Sequence, residues 1–195
     1  MLARENPFAA ARVLKVRYRL DEARWADLIA RLESLGMRGA IVGRKGHGKT
    51  TLIEDLARRL AARGHSTRLV RLESGRRDLP PEVRAALAGG SPREVFLVDS
   101  AGQLPLARRL WLYAASRRAG GLVVTAHRRG LLRTLLRLET TPQILEAIVR
   151  EVSGREVASF GCSARELHRR HRGNLRDALR ELYDVCAGRS LARAS

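Results

Sequence analysis

The chain has 195 residues, 45% of them hydrophobic, and its 38 basic against 20 acidic side chains give a formal net charge of +18. That length and apolar content suit one compact domain, or a domain with a small appendage, and exclude wholesale disorder. No apolar run approaches the ~20 residues of a membrane helix, the opening residues lack the apolar stretch of a secretory signal, and two cysteines, Cys162 and Cys186, match neither a zinc spacing nor a disulfide framework, so a reducing cytoplasm is expected.

Residues 1–37 read as an N-terminal arm and helix. Up to Leu20 there is no clear period. Asp21 then suits a helix cap, and Trp25, Leu28, Ile29 and Leu32 follow at i, i+3, i+4, i+7. Gly36 ends that helix. Residues 38–140 read as an alternating core. Gly39–Gly43 is a short buried strand, and Thr50–Ala62 is a helix with Leu52, Ile53, Leu56 and Leu60 inward. Thr67–Leu72 is a second strand. Residues 74–93, with three prolines and two adjacent glycines, form loop with room for a short helix. Val95–Val98 is wholly apolar, as a strand covered on both faces should be. Pro105 opens a helix to about Arg118. Leu122–Thr125 and Thr134–Leu138 complete the strands.

Residues 141–195 are helical only. Thr141 caps a helix with Pro142 at its first position, Ser163-Ala-Arg-Glu166 is a capping box, and Asn174 caps a last helix with Leu175, Ala178, Leu179, Leu182 and Cys186 inward. The end past Arg189 is expected to fray. Strands alternating with helices imply an α/β fold with a mainly parallel sheet, and the tail forms a second small subdomain.

Gly43-Arg44-Lys45-Gly46-His47-Gly48-Lys49-Thr50, with Thr51 next, has the spacing G-x-x-x-x-G-K-[ST] between a strand and a helix. Its glycines let backbone N–H groups turn around phosphate oxygens, and the helix adds its positive end. Lys49 is expected to bridge the β and γ phosphates and Thr50 to ligate Mg²⁺. Glu94-Val-Phe-Leu-Val-Asp99, an apolar strand ending in an acid, resembles the Walker B element, with Asp99 as the second magnesium-side residue. Ser100 stands where many P-loop ATPases carry a catalytic Glu. Gln103 is the neutral residue placed to orient water instead, and hydrolysis is expected to be slow or partner-dependent.

Thr125 and His127, at the end of Leu122-Val-Val-Thr125-Ala-His127, are alternative sensors of the γ-phosphate. Arg128, Arg129 and Arg133 follow, and one of them suits an arginine finger because guanidinium forks match phosphate oxygens. Residues 101–140 hold eight arginines and one acid, Glu139. Such a stretch favours a nucleic-acid, phosphate-bearing or acidic partner over a merely solvated face. In the tail, Gly173-Asn-Leu-Arg176 places an arginine in a first helical turn, where the helix dipole disfavours it. His168 and His171 have no ligand set around them. Trp25 and Trp111 suit core or interface better than base stacking.

These elements together resemble the AAA+ group of P-loop ATPases, over roughly residues 38–188. With the helical lid carrying Gly173-Asn-Leu-Arg176 beside the elements at 43–50, 95–99 and 122–127, the chain looks most similar to small single-lid ATPases related to transposition helpers, origin-recognition ATPases and STAND switches. The resemblance implies a five-stranded parallel sheet in the order 5-1-4-3-2, a C-terminal helical lid, and ATP with Mg²⁺. It further implies γ-phosphate sensing by Arg176 together with Thr125 or His127, and an adenine site lined near Asn6-Pro-Phe8.

The leading expectation is an ATP-dependent switch or weak ATPase whose arginine-rich face meets a protein partner or a second copy that completes the site. The alternatives are an ATPase associated with DNA or RNA, a small P-loop kinase with Asp78 or Glu73 as its base, and a nucleotide-binding adaptor without turnover.

Overall fold

The computed structural model describes residues 6–9, 13, 20–73, 75 and 77–188. The expected fraying beyond Arg189 and most of the arm before Leu20 lie outside these residues. Five strands, β1 (Arg38–Gly43), β2 (Ser66–Arg71), β3 (Glu94–Asp99), β4 (Gly121–Ala126) and β5 (Thr134–Leu138), form one sheet in the order β2-β3-β4-β1-β5. Every neighbouring pair is parallel. This is the expected strand order.

Alternation along the strands decides which side chains meet which helices. Ile41, Leu97 and Val123 face one side, where α1 (Glu22–Ser34) and α2 (Lys49–Ala62) bury Trp25, Leu28, Ile29, Leu32, Leu52, Ile53, Leu56 and Leu60. Ala40, Val42, Phe96, Val98, Leu122 and Val124 face the other, against Val83 and Leu87 of α3 (Pro81–Gly89) and Leu112 of α4 (Leu106–Ala115). Because both faces are covered, β3 reads as a continuous apolar run. Asp21 caps α1, its carboxylate accepting from the Arg24 amide at 2.8 Å. The Arg59 guanidinium lies 4.6 Å over the Trp25 ring and pairs with Glu22, whose carboxyl it holds below the usual carboxylate range by hydrogen bonding.

The helix expected over 105–118 breaks at Ala115 and continues as a 3-10 turn, Ser116–Arg118. The cause is local and tertiary at once. Ser116 Oγ donates back to the Tyr113 carbonyl at 3.0 Å, a bond that competes with the helical ladder. The Arg38 guanidinium also draws on the Ser116 and Ala119 carbonyls at 2.5 and 3.3 Å.

By its internal contacts the chain divides into two units, one holding the sheet (described residues 20–43 and 48–138), the other holding residues 44–47, 139–188 and the segment around Asn6. The second unit contains α5 (Pro142–Ser153), α6 (Ala164–Arg170) and α7 (Leu175–Cys186). Thr141, Ser163 and Asn174 cap these three helices with their side chains. Leu145, Val149, Val157, Leu167, Leu175, Leu179 and Leu182 form its core. Phe8 belongs to that core and meets Phe160 edge-on, ring centres 5.3 Å apart. Buried Asn6 fastens the segment: its carboxamide donates to the Tyr183 carbonyl at 2.8 Å and accepts from the Phe8 amide at 3.0 Å. Inside the same unit the buried Glu181 carboxylate is held by Arg170 and by His171 Nε2, the latter at 2.5 Å.

Candidate functional site

The parallel register brings the carboxyl ends of β1, β3 and β4 to one edge of the sheet, the edge where open α/β sheets bind ligands. Val98 lies opposite Val124 and Ile41 opposite Thr125. Asp99, one residue beyond Val98, therefore stands beside Thr125, and both are buried. Thr125 Oγ1 donates to Asp99 Oδ1 at 2.5 Å and accepts from the Ser100 amide at 2.7 Å. Thr50, in the first turn of α2, donates its hydroxyl to Asp99 Oδ2 at 2.8 Å. Both carboxylate oxygens are thus taken by hydroxyls from two other elements. Ser100, with φ +65°, occupies the left-handed region that non-glycine residues seldom adopt, and this conformation presents its amide to Thr125.

The loop from Gly43 to Thr50 reaches α2 through two left-handed glycines, Gly46 (φ +79°) and Gly48 (φ +80°). Gly48 is the N-cap of α2. It offers no side chain to the helix, and no acid lies in the first turn. The first turn of α2 therefore has no acid of its own and no side-chain cap on its amides, an arrangement that suits an anion at a helix start. Thr51 Oγ1 turns back to the Gly48 carbonyl at 2.8 Å and steadies the bend. Lys49 and Thr50 are half-buried, Arg44 and Lys45 are exposed, and Gly43 and His47 are buried. An uncapped helix start after a glycine bend fits a polyphosphate, and a threonine hydroxyl beside a carboxylate is an oxygen donor set that fits a hard cation such as Mg²⁺.

Within the helical unit, Gly46 has a second constraint. A Cβ at this position would overlap Asn174 Oδ1 and would lie 3.4 Å from the Arg176 amide. That same Oδ1 caps α7 by accepting from the Arg176 and Asp177 amides at 3.2 and 3.3 Å. The side chain of Arg176 is exposed, and Asp177 is engaged by the Asn174 carboxamide. Thr140 secures the turn before α7, donating to the Gly173 carbonyl at 2.7 Å with His168 Nε2 3.1 Å away.

The remaining sequence-derived residues lie outside the Asp99 network. Gln103 is exposed at the end of the 3-10 turn Ala101–Gln103, its amide bonded to the Ser100 carbonyl at 2.9 Å. His127, Arg128, Arg129 and Arg133 are exposed on the segment between β4 and β5. Asp78 is paired with Arg84 and Arg108 at 3.5 and 3.3 Å. Among the described residues no group of three or more His, Cys, Asp and Glu is placed to hold a metal ion, and no helix is long and apolar enough to cross a membrane. Sequence reading missed Thr140, the Gly46–Asn174 approach and the Ser100 conformation. The first two join residues far apart in the chain, and serine carries no sequence mark of a positive φ.

A five-stranded parallel sheet in the order β2-β3-β4-β1-β5, helices on both faces and a glycine-rich loop entering α2 make up a P-loop fold. RuvB of Thermotoga maritima, a Holliday junction branch migration motor, has this fold: TM-score 0.54 at 22% identity, with 86% of this chain and 62% of RuvB covered. A point variant of the same RuvB gives 0.57 at 21%, covering 87% and 64%. This chain therefore spans less than two thirds of the RuvB length. No protein-family model and no curated protein matches the sequence.

Proposed function

We propose that the protein binds ATP with Mg²⁺ and acts as an ATP-dependent switch or slow ATPase of the AAA+ type. One observation carries the reading: Thr50 and Thr125, from different elements, converge on the two oxygens of the buried Asp99. In this reading Gly43 to Thr51 hold the phosphates, Lys49 bridges the β and γ groups, and Thr50 with Asp99 serves the magnesium side. The metal would neutralise charge on the phosphates. Thr125 positions Asp99, since its only proton is given to that carboxylate. His127 and Arg176 then remain as the residues for sensing the γ-phosphate, with Gln103 for water and Arg128 or Arg129 for a neighbour's site. With Ser100 after Asp99, turnover is expected to be slow until a partner contributes. The motif Gly173-Asn-Leu-Arg176 is the ground for a narrower kinship with transposition-helper, origin-recognition and STAND ATPases. A cytoplasmic location accords with two free thiols.

The test is titration of a fluorescent ATP analogue with and without MgCl₂, on the wild type and on Lys49→Ala, alongside phosphate release. Magnesium-dependent binding that Lys49→Ala weakens by at least about tenfold is expected. Equal binding by the two proteins overturns the proposal.

The likeness to a branch migration motor, with the arginines of 101–140, favours a second reading: an ATPase stimulated by nucleic acid. Duplex DNA would then accelerate phosphate release, and binding would weaken steeply with salt. For the kinase reading, Asp78 is paired with Arg84 and Arg108, and Glu73, the other residue considered as its base, is exposed.

A further inference from the structure

Parallel strands all begin at one edge of their sheet, and in this sheet that edge collects arginines. β5, β1, β4 and β3 are consecutive neighbours. Arg133 directly precedes β5, Arg38 begins β1, Arg117 and Arg118 lie in the 3-10 turn before β4, and Arg93 directly precedes β3. Contacts between the entering turns bring these residues together. The Ala40 amide donates to the Arg133 carbonyl at 2.9 Å, and Arg31 of α1 reaches the Thr134 carbonyl at 3.1 Å. Arg38 Nη1 donates to Ser116 Oγ at 3.0 Å, and burial together with the Arg117 charge holds the Arg38 guanidinium below its usual range. The Gly120 amide donates to the Ser91 carbonyl at 3.0 Å, and a Cβ on Gly120 would lie 3.1 Å from the Arg93 carbonyl carbon. A Cβ on Gly90 would lie 2.7 Å from Arg118 Cβ. Arg31, Arg93, Arg117, Arg118 and Arg133 are exposed. The segments entering the four strands, 36–38, 90–93, 116–120 and 131–133, hold no acid and no aromatic residue. Glu94, the first residue of β3, is taken by Arg68 Nε at 2.8 Å.

We propose that this edge, at the other end of the strands from Asp99, binds the phosphate backbone of duplex DNA. Four neighbouring strand starts at ~4.8 Å spacing span about 14 Å. That row can follow several phosphates set ~3.4 Å apart along the axis of one DNA strand. Guanidinium forks match phosphate oxygens. Without aromatic side chains the edge has nothing on which unpaired bases could stack, so a duplex fits it better than a single strand. A protein partner would call for an apolar centre among the charges. Of the large apolar side chains exposed among the described residues, these segments hold Leu131 alone. The inference deepens the nucleic-acid reading above by placing that partner away from the nucleotide edge.

The experiment is fluorescence anisotropy of a short labelled duplex, without ATP and over a series of salt concentrations. It compares the wild type with R93A/R117A/R118A and with a charge-matched control, R165A/R169A/R180A, on α6 and α7. All six positions are exposed, and melting temperatures are measured first. The edge variant should bind at least about tenfold more weakly, with the slope of log K against log salt reduced by about 2–3. The control should lose less than about threefold. A second measurement needs no variant: DNA should shield Arg93, Arg117 and Arg118 of the wild type from phenylglyoxal. No binding by the wild type, equal losses in edge variant and control, or unshielded arginines overturn the proposal. So does polyglutamate that binds as tightly with the same loss in the edge variant, which assigns the edge to an acidic protein. Loss confined to R128A/R129A also overturns it, by moving DNA to the residues beyond β4, and leaves the nucleic-acid reading standing. DNA stimulation of phosphate release is a separate measurement, and its absence would sink that reading alone.

Discussion

Thr125 gives its hydroxyl proton to Asp99 across 2.5 Å while accepting the Ser100 amide at 2.7 Å, so one buried side chain orients the acid and steadies the left-handed residue after it. Thr125→Val keeps the shape and removes both bonds. A hydrogen bond to a charged group and a buried amide are lost together, a cost of about 2 kcal/mol. The melting temperature should fall by about 4–8 °C. Thr125→Ser, which restores the hydroxyl, should recover most of this loss. Equal loss in the two variants would show that the methyl group, and not the bond, is what matters.

Gly46 is constrained by conformation and by Asn174. Gly46→Ala meets a positive φ and an overlap with the Asn174 carboxamide, together about 2–3 kcal/mol. Asn174→Ala removes a helix cap at about 1 kcal/mol but also clears the space. The double variant should therefore be more stable than the sum of the singles predicts, by about 1 kcal/mol in denaturant unfolding. Strict additivity would mean that the two residues do not press on each other.

Arg128 and Arg129 are exposed beyond β4 and outside the Asp99 network. Replacing both by Ala should lower phosphate release or assembly more than ATP affinity. Unchanged turnover and assembly sink the finger assignment.

Cys162 and Cys186 are half-buried, and burial raises both thiols above their ordinary range, with Glu181 adding to the shift at Cys162. A raised thiol holds less nucleophilic thiolate at a given pH. Iodoacetamide at pH 8 should modify both more slowly than free cysteine, and denaturant should bring them to the free rate. Rapid labelling of the folded protein would contradict this environment.

The 3.6-residue spacing of Trp25, Leu28, Ile29 and Leu32, the apolar run of β3, and the caps Asp21, Thr141, Ser163 and Asn174 are all local signals, and each element stands where its residues placed it. The glycine spacing of 43–50 likewise marks a phosphate loop without any tertiary knowledge. Strand order came from resemblance, because periodicity says that a strand is buried but not which strand lies beside it. Tertiary structure alone decided that both oxygens of Asp99 are occupied, since the partners lie 49 and 26 residues away. It also decided that Asn6 and Phe8 serve the helical core and that Asn174 reaches Gly46, while the end of α4 at Ala115 has a local share in the Ser116 hydroxyl and a tertiary one in Arg38. The division has one physical cause: short-range sterics and hydrogen bonding write local structure into neighbouring residues. Contacts across long chain separations depend on how the finished elements pack.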